Sequence, residues 1–158
     1  MGKILVAYFS ASGVTKRVAE RLSKVMEADI FEIIPEQIYT EADLNWQDKK
    51  SRSSIEMNDR NCRPAISKKV DDISQYSHVF IGFPVWWYRE PSIIDTFMES
   101  YSWDDITVIP FCTSGGSEIG DSGKNMQALA KTAKVIEGDR LDANVTEEEL
   151  KEWVNKVL

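Results

Sequence analysis

Ser10-Ala11-Ser12-Gly13-Val14-Thr15 puts three hydroxyls, one glycine and a row of backbone N–H groups into six residues. The run lies where hydrophobic periodicity changes from that of a strand to that of a helix, so its N–H groups open a helix. A helix N-terminus supplied with hydroxyl donors is an anion site, and phosphate is the anion it suits best. Hydroxyls ahead of a helix also serve as plain N-caps, and the loop alone does not choose between the two roles. The chain has no Gly-x-x-x-x-Gly-Lys-Ser/Thr run, and no Gly-x-Gly-x-x-Gly follows the first strand. Both absences argue against triphosphate and dinucleotide loops. A hydroxyl cradle without a lysine fits a terminal monophosphate.

A second loop, Pro84-Val85-Trp86-Trp87-Tyr88-Arg89-Glu90-Pro91, sets three consecutive aromatics between prolines. Such side chains either plug onto neighbouring helices or form a shelf for a planar ring. Stacking on them contributes about 0.5–1.5 kcal/mol beyond area burial. The third, Thr113-Ser114-Gly115-Gly116-Ser117-Glu118-Ile119-Gly120, is either a flexible turn or a rim where backbone approaches a ligand closely. Ligands of doubly wound sheets bind beyond the carboxyl ends of strands, and all three loops leave such ends. A monophosphate cradle, an aromatic shelf and a backbone-rich rim on one sheet edge together describe a site for flavin mononucleotide (FMN).

The elements that must position these loops alternate. Ile4 to Phe9 is a continuous apolar run that suits a strand buried on both faces of a parallel sheet. Val14, Val18, Leu22 and Val25 follow at helical spacing, up to Met26. Strands are expected at Asp29–Ile34, Ser77–Phe83, Ile106–Cys112 and Lys134–Asp139, with Pro110 a warning about the regularity of the fourth. Helices are expected after Pro91-Ser92, over Lys124–Lys131, and from a Thr146-Glu147-Glu148-Glu149 cap onward. Residues 36–75 are polar and irregular. There Thr40-Glu41-Ala42-Asp43 reads as a box opening a short helix over Leu44, Trp46 and Gln47, which Ser51-Arg52-Ser53-Ser54 breaks. Connections of this length are usually functional or carry small helices. The alternation makes the chain an α/β sandwich around a parallel sheet.

A chain of 158 residues with 42% hydrophobic and 28% charged residues is one globular domain, 1–158. No apolar stretch has the length of a membrane span, and no secretory leader precedes the first strand. Cys62 and Cys112 lie too far apart for a metal or disulfide motif, so the expected compartment is the reducing cytoplasm. A net charge of −7 argues against nucleic acid and permits steering towards a basic protein surface. His78, the only histidine, begins a strand at the end opposite the loops, so no serine–histidine–carboxylate triad is supported. Trp46 either covers the ligand or anchors the long connection. Arg52 either reaches the ligand or forms a surface salt bridge. The pairs Asp71-Asp72 and Asp104-Asp105 either assist docking or are solvated flanking charges.

The chain resembles the single-domain flavodoxins, in particular a bacterial flavodoxin-like family of this length. The resemblance rests on YFSASGVT (8–15), GFPVWWYREP (82–91), FCTSGGS (111–117) and NWQDKKSRSSIEM (45–57), and covers essentially the whole chain. It implies a three-layer α/β/α sandwich with a five-stranded parallel sheet of order 2-1-3-4-5 and a noncovalently bound FMN. Carried over by position, Ser10, Ser12, Gly13, Val14 and Thr15 would hold the phosphate. Pro84, Val85, Trp86 and Trp87 would border the isoalloxazine, and Thr113, Ser114, Gly115 and Gly116 would close its other side. Tyr88-Arg89-Glu90 is bulkier than the small residue common after the tryptophan pair. The implied role is electron transfer, with transient docking on a redox protein partner (a reductase or an acceptor) by a monomer or weak dimer. The alternative is an FMN-dependent NAD(P)H:quinone-type oxidoreductase. Apolar rings and acidic neighbours would disfavour negative charge on the reduced ring.

Overall fold

The computed structural model describes residues 2–158. Strands β1 (Lys3–Tyr8), β2 (Asp29–Glu32), β3 (Tyr76–Pro84), β4 (Thr107–Thr113), β5 (Lys134–Val135) and β6 (Asp139–Arg140) form one sheet. All pairings are parallel, in the order β2-β1-β3-β4-β5, with β6 also beside β4. β5 and β6 therefore share the fifth position, and the expected 2-1-3-4-5 order stands. Helices α1 (Val14–Met26), α2 (Arg52–Met57), α3 (Ser92–Glu99), α4 (Ser122–Leu129) and α5 (Glu147–Val157) connect them, with a 3₁₀ turn at Ile73–Gln75.

Strand alternation divides the core into two layers. Leu5 and Ala7 of β1, Phe9 just beyond it, and Val79, Ile81 and Phe83 of β3 face α3 and α4, against Ile93, Phe97 and Met126. Val6, Tyr8, Phe80 and Phe111 face the opposite way, against Val18 and Leu22 of α1 and Leu150 and Val154 of α5. The expected capping box opens α5: the Glu149 N–H donates to Thr146 Oγ1, and the Thr146 N–H donates to Glu149 Oε1, both at 3.1 Å. Gly82 is bare for a reason of space. A Cβ there would lie 2.2 Å from Phe111 Cζ, deep in the core. Gly82→Ala is expected to cost about 1–3 kcal/mol through overpacking. The measurement is the urea midpoint at unchanged m-value, and an unshifted midpoint would refute it.

The expected strand 134–139 is split, and Pro110 explains why. Two residues of β4, Ile109 and Pro110, stand opposite three on the edge, Ile136 to Gly138. Proline offers no N–H to the edge strand, and such residues are tolerated at bulges. Gly138 sits in the bulge at φ 80, where a Cβ would lie 2.2 Å from the Pro110 carbonyl oxygen. On its other side β4 pairs regularly with β3, Ile81 opposite Pro110.

The long connection departs from expectation. Its two ends pair with each other, the Glu36 N–H donating to the Ala65 carbonyl at 2.9 Å and the Ser67 N–H to that of Ile34 at 2.8 Å. Thr40 and Asp43 do exchange hydrogen bonds, yet 41–50 forms turns and not a helix. Asn45 and Asp48 accept N–H groups two residues on, which competes with helix formation. Ser51-Arg52-Ser53-Ser54 does not break a helix but starts one, α2, with Ser51 as its N-cap.

Candidate functional site

The three loops meet at the carboxyl ends of β1, β3 and β4. In the first, Gly13 precedes α1 at φ 92, and no side chain caps that helix. The Ser10 hydroxyl instead accepts the Gly13 N–H at 3.0 Å. The plain-cap role therefore does not describe this loop: the first-turn N–H groups are left without a capping side chain. Ser12 is exposed, Val14 is half-buried and Thr15 is buried. A Cβ built on Gly13, Gly115 or Gly116 would meet nothing within 4 Å, so open space lies over the first and third loops alike.

Thr113 ties the loops together. Its hydroxyl lies 2.7 Å from that of Thr15, and its carbonyl accepts the Val85 N–H at 3.2 Å. Beyond it, the Ser114 hydroxyl donates to the Ser117 carbonyl and accepts the Gly116 N–H at 3.3 Å. Arg140, on β6, donates from Nε to Ser114 Oγ at 3.2 Å and from Nη2 to the Ser114 carbonyl at 3.1 Å. Sequence reasoning passed over Arg140 because its segment has no motif.

The aromatic loop divides its side chains between interior and surface. Trp86 is the plug: it is half-buried and packs edge-on against Phe9 and Tyr39, with centroids 5.6 and 5.4 Å away. Trp87 and Tyr88 stay on the outside, 38% and 80% exposed. They occupy a tight turn in which Trp86 and Arg89 exchange backbone hydrogen bonds at 3.0 and 3.1 Å. Both central residues have positive φ, 48 and 64, as a mirror-image hairpin turn demands. Side chains there cost on the order of 1–3 kcal/mol each. Gly120 closes over this turn, its missing Cβ avoiding a 2.7 Å approach to the Tyr88 carbonyl oxygen.

Trp46 does not anchor the connection. It is 70% exposed and lines a cavity of about 360 Å³ with Val85, Trp86, Trp87, Tyr88 and Ser117. Trp46 and Trp87 also line an adjoining space of about 550 Å³. The connection is held instead by Tyr39, whose hydroxyl donates to Glu56 Oε1 at 2.5 Å and whose ring lies 3.8 Å beneath the Arg52 guanidinium. Arg52 bonds Glu56 Oε2 at 2.9 Å and the Gln37 carbonyl at 2.6 Å, so it is not brought to the 10–15 loop.

Beneath the aromatic turn, Arg89 and Glu90 point inward and are buried with Asp95. Arg89 Nη1 lies 3.4 Å from Asp95 Oδ2 and 3.6 Å from Glu90 Oε2, while Nη2 donates to the Met57 carbonyl at 3.3 Å. Asn125 Nδ2 donates to Glu90 Oε1 at 3.0 Å. The expected bulk after the tryptophans therefore fills the interior and leaves only Tyr88 on the outer edge.

The remaining candidates lie elsewhere. His78 bonds Ser77 Oγ at 2.8 Å near the start of β3. Asp72 caps the 3₁₀ turn that leads into β3, and Asp104-Asp105 precedes β4. Both acidic pairs thus sit at the sheet end opposite the loops. Cys112 is buried, and burial pushes its thiol up to about 12, which leaves it inert. Among the described residues no cluster of His, Cys, Asp and Glu could hold a metal ion, and no helix is long and apolar enough to cross a membrane.

Comparison with known proteins matches the flavodoxin family model to residues 3–157. A solved structure described as a flavoprotein from Bacteroides eggerthii is 46% identical, covering 99% of this chain and 98% of that one at a TM-score of 0.93. Another from Bacteroides uniformis is 43% identical, with 98% of each chain covered and a TM-score of 0.92. A flavoprotein in complex with FMN from Lactobacillus acidophilus is 24% identical and shares the fold, covering 98% and 99% at 0.71. No curated protein matches the chain.

Proposed function

This chain belongs to the flavodoxin family, and on that premise we propose that it binds FMN noncovalently and passes electrons to a redox protein partner. The observation that carries the reading is the convergence at one sheet edge of an uncapped helix start, an exposed tryptophan pair and a tethered rim. The residues present fit the cofactor: Gly13 and the Gly115-Gly116 pair face open space that a side chain would fill.

The Ser12 hydroxyl and the N–H groups of Val14 and Thr15 would bind the phosphate, while Ser10, which accepts the Gly13 N–H, shapes the loop. Trp46 and Trp87 exclude water from the ring, Pro84, Val85 and Trp86 form its floor, and Thr113 to Gly116 close the other side. When bound, FMN supplies one- and two-electron redox chemistry. Docking is transient and engages the rim around Tyr88. The acidic pairs at the far sheet end take no part in it. The protein acts in the cytoplasm, as a monomer or weak dimer.

The test is titration of the protein with FMN, following tryptophan fluorescence and the flavin spectrum. Saturable one-to-one quenching with a shifted two-band spectrum is expected, and unchanged fluorescence and spectrum would overturn the reading. Steady-state NAD(P)H oxidation by the loaded protein separates carrier from reductase. A carrier oxidises it no faster than free FMN does.

A further inference from the structure

Arg140 is a half-buried cation bonded to the 113–117 rim, and no carboxylate lies within 4.0 Å of it among the described residues. Its neighbour Asp139 is turned away, accepting the Trp153 indole N–H at 2.8 Å. The guanidinium is held by two hydrogen bonds to one residue, Ser114 Oγ at 3.2 Å and Ser114 O at 3.1 Å. The Ser114 hydroxyl is thereby committed: it accepts from Arg140 and Gly116 and donates to Ser117. It has no proton left for a ligand, so its work is to couple the guanidinium to the turn that forms the rim. β6 exists as a strand only at Asp139 and Arg140, paired with Phe111 and Cys112, and that short ladder sets Arg140 behind Thr113 and Ser114.

We infer that Arg140 is the positioning and charge-supplying residue of the ring site, shaping the 113–117 rim and placing a positive charge beside the bound flavin. The inference rests on the FMN reading above. Reduction adds negative charge to the ring, and a fixed cation with no paired carboxylate favours the reduced form over the oxidised one. On this inference a cation acts on the ring beside the acidic neighbours expected there. The net charge of −7 describes the whole surface, whereas the charge tethered to Ser114 of the rim is positive. A guanidinium suits the task because its planar fork meets both the hydroxyl and the carbonyl of one residue, which an ammonium does less well.

The experiment compares wild type, Arg140→Gln, Arg140→Lys and Ser114→Ala as FMN complexes. It measures the dissociation constant of oxidised FMN by quenching, and the midpoint potentials by dithionite titration against reference dyes. The two together give the ratio of reduced to oxidised affinity. Arg140→Gln is expected to lower that ratio about tenfold, as loss of one nearby charge at intermediate dielectric would. Arg140→Lys keeps most of the ratio. Ser114→Ala, which loosens the rim but keeps the cation, changes it by less than about twofold on the same electrostatic ground. Arg140→Met gives the same reading if the glutamine variant does not fold stably. An Arg140→Gln or Arg140→Met ratio equal to wild type overturns the inference alone. Absence of saturable quenching in the wild type overturns the FMN reading with it.

Discussion

Arg89→Met is expected to destabilise the protein by about 3–5 kcal/mol, the usual consequence of removing one partner from a buried ionic group. Arg89 stands between Glu90 and Asp95, and all three are buried. Without the guanidinium, Glu90 keeps Asn125, and Asp95 keeps Arg63, at 3.9 Å, as its one cation. Glu90 Oε2 and Asp95 Oδ1 accept no N–H or hydroxyl from the surrounding residues, so the cluster has no spare donor to absorb the loss. A turn with two positive-φ side chains persists only when its surroundings over-determine it, and Arg89 closes that turn through its own backbone. FMN affinity should therefore fall along with stability. The double variant Arg89→Met with Glu90→Gln separates charge from packing. It should recover part of the loss, because the uncompensated carboxylate is gone. Urea unfolding measures both. A single variant within about 0.5 kcal/mol of wild type, the range of ordinary surface changes, would refute the assignment of Arg89 as a structural cation.

This cluster marks the limit of what the sequence discloses. The sheet was legible because β1, β3 and β4 are continuous apolar runs buried on both faces. The loops were legible because their compositions are extreme and each directly follows such a run. Arg89 and Glu90 look like solvated charges after an aromatic run. Their burial depends on Met57, Asp95 and Asn125, which come from three separate segments. Local pattern carries no information about such a meeting. Trp46 stayed open between two roles for a related reason. The turns from 41 to 50 are built on Asn45 and Asp48 side chains, and nothing periodic tells an exposed tryptophan from an anchoring one. The split edge strand was half legible: Pro110 announced an irregularity, but the extra residue that absorbs it lies at Gly138 on the neighbouring strand. The role of Tyr39 had one signal, an aromatic in an otherwise polar stretch, too common to be read as a latch.

The second large effect concerns pH, and Asp95 carries it. Burial first, then the hydrogen bond and charge of Glu90, push the Asp95 carboxyl up from 3.8 to about 8, against the opposing pull of Arg89 and Arg63. Between those two values the folded protein holds a proton that the unfolded chain has released. Stability therefore falls as pH rises from 3.8 to about 8, and above that range this group adds no further slope. The proton has a structural purpose, since it gives one of two facing carboxyls a donor where both otherwise only accept. Asp95→Asn keeps the shape and supplies a permanent donor. Its urea midpoint should match wild type near the acid end and exceed it at the alkaline end. The difference should grow by at most about 1.4 kcal/mol per pH unit, the value of one fully differential proton. Glu99→Gln is the control: Glu99 bonds Arg63 at 2.5 Å but is partly exposed, so its removal should leave the slope in place. If the wild-type and Asp95→Asn midpoints run parallel between pH 5 and 8.5, Asp95 does not hold the proton, and the two buried carboxyls are kept apart by their arginines alone.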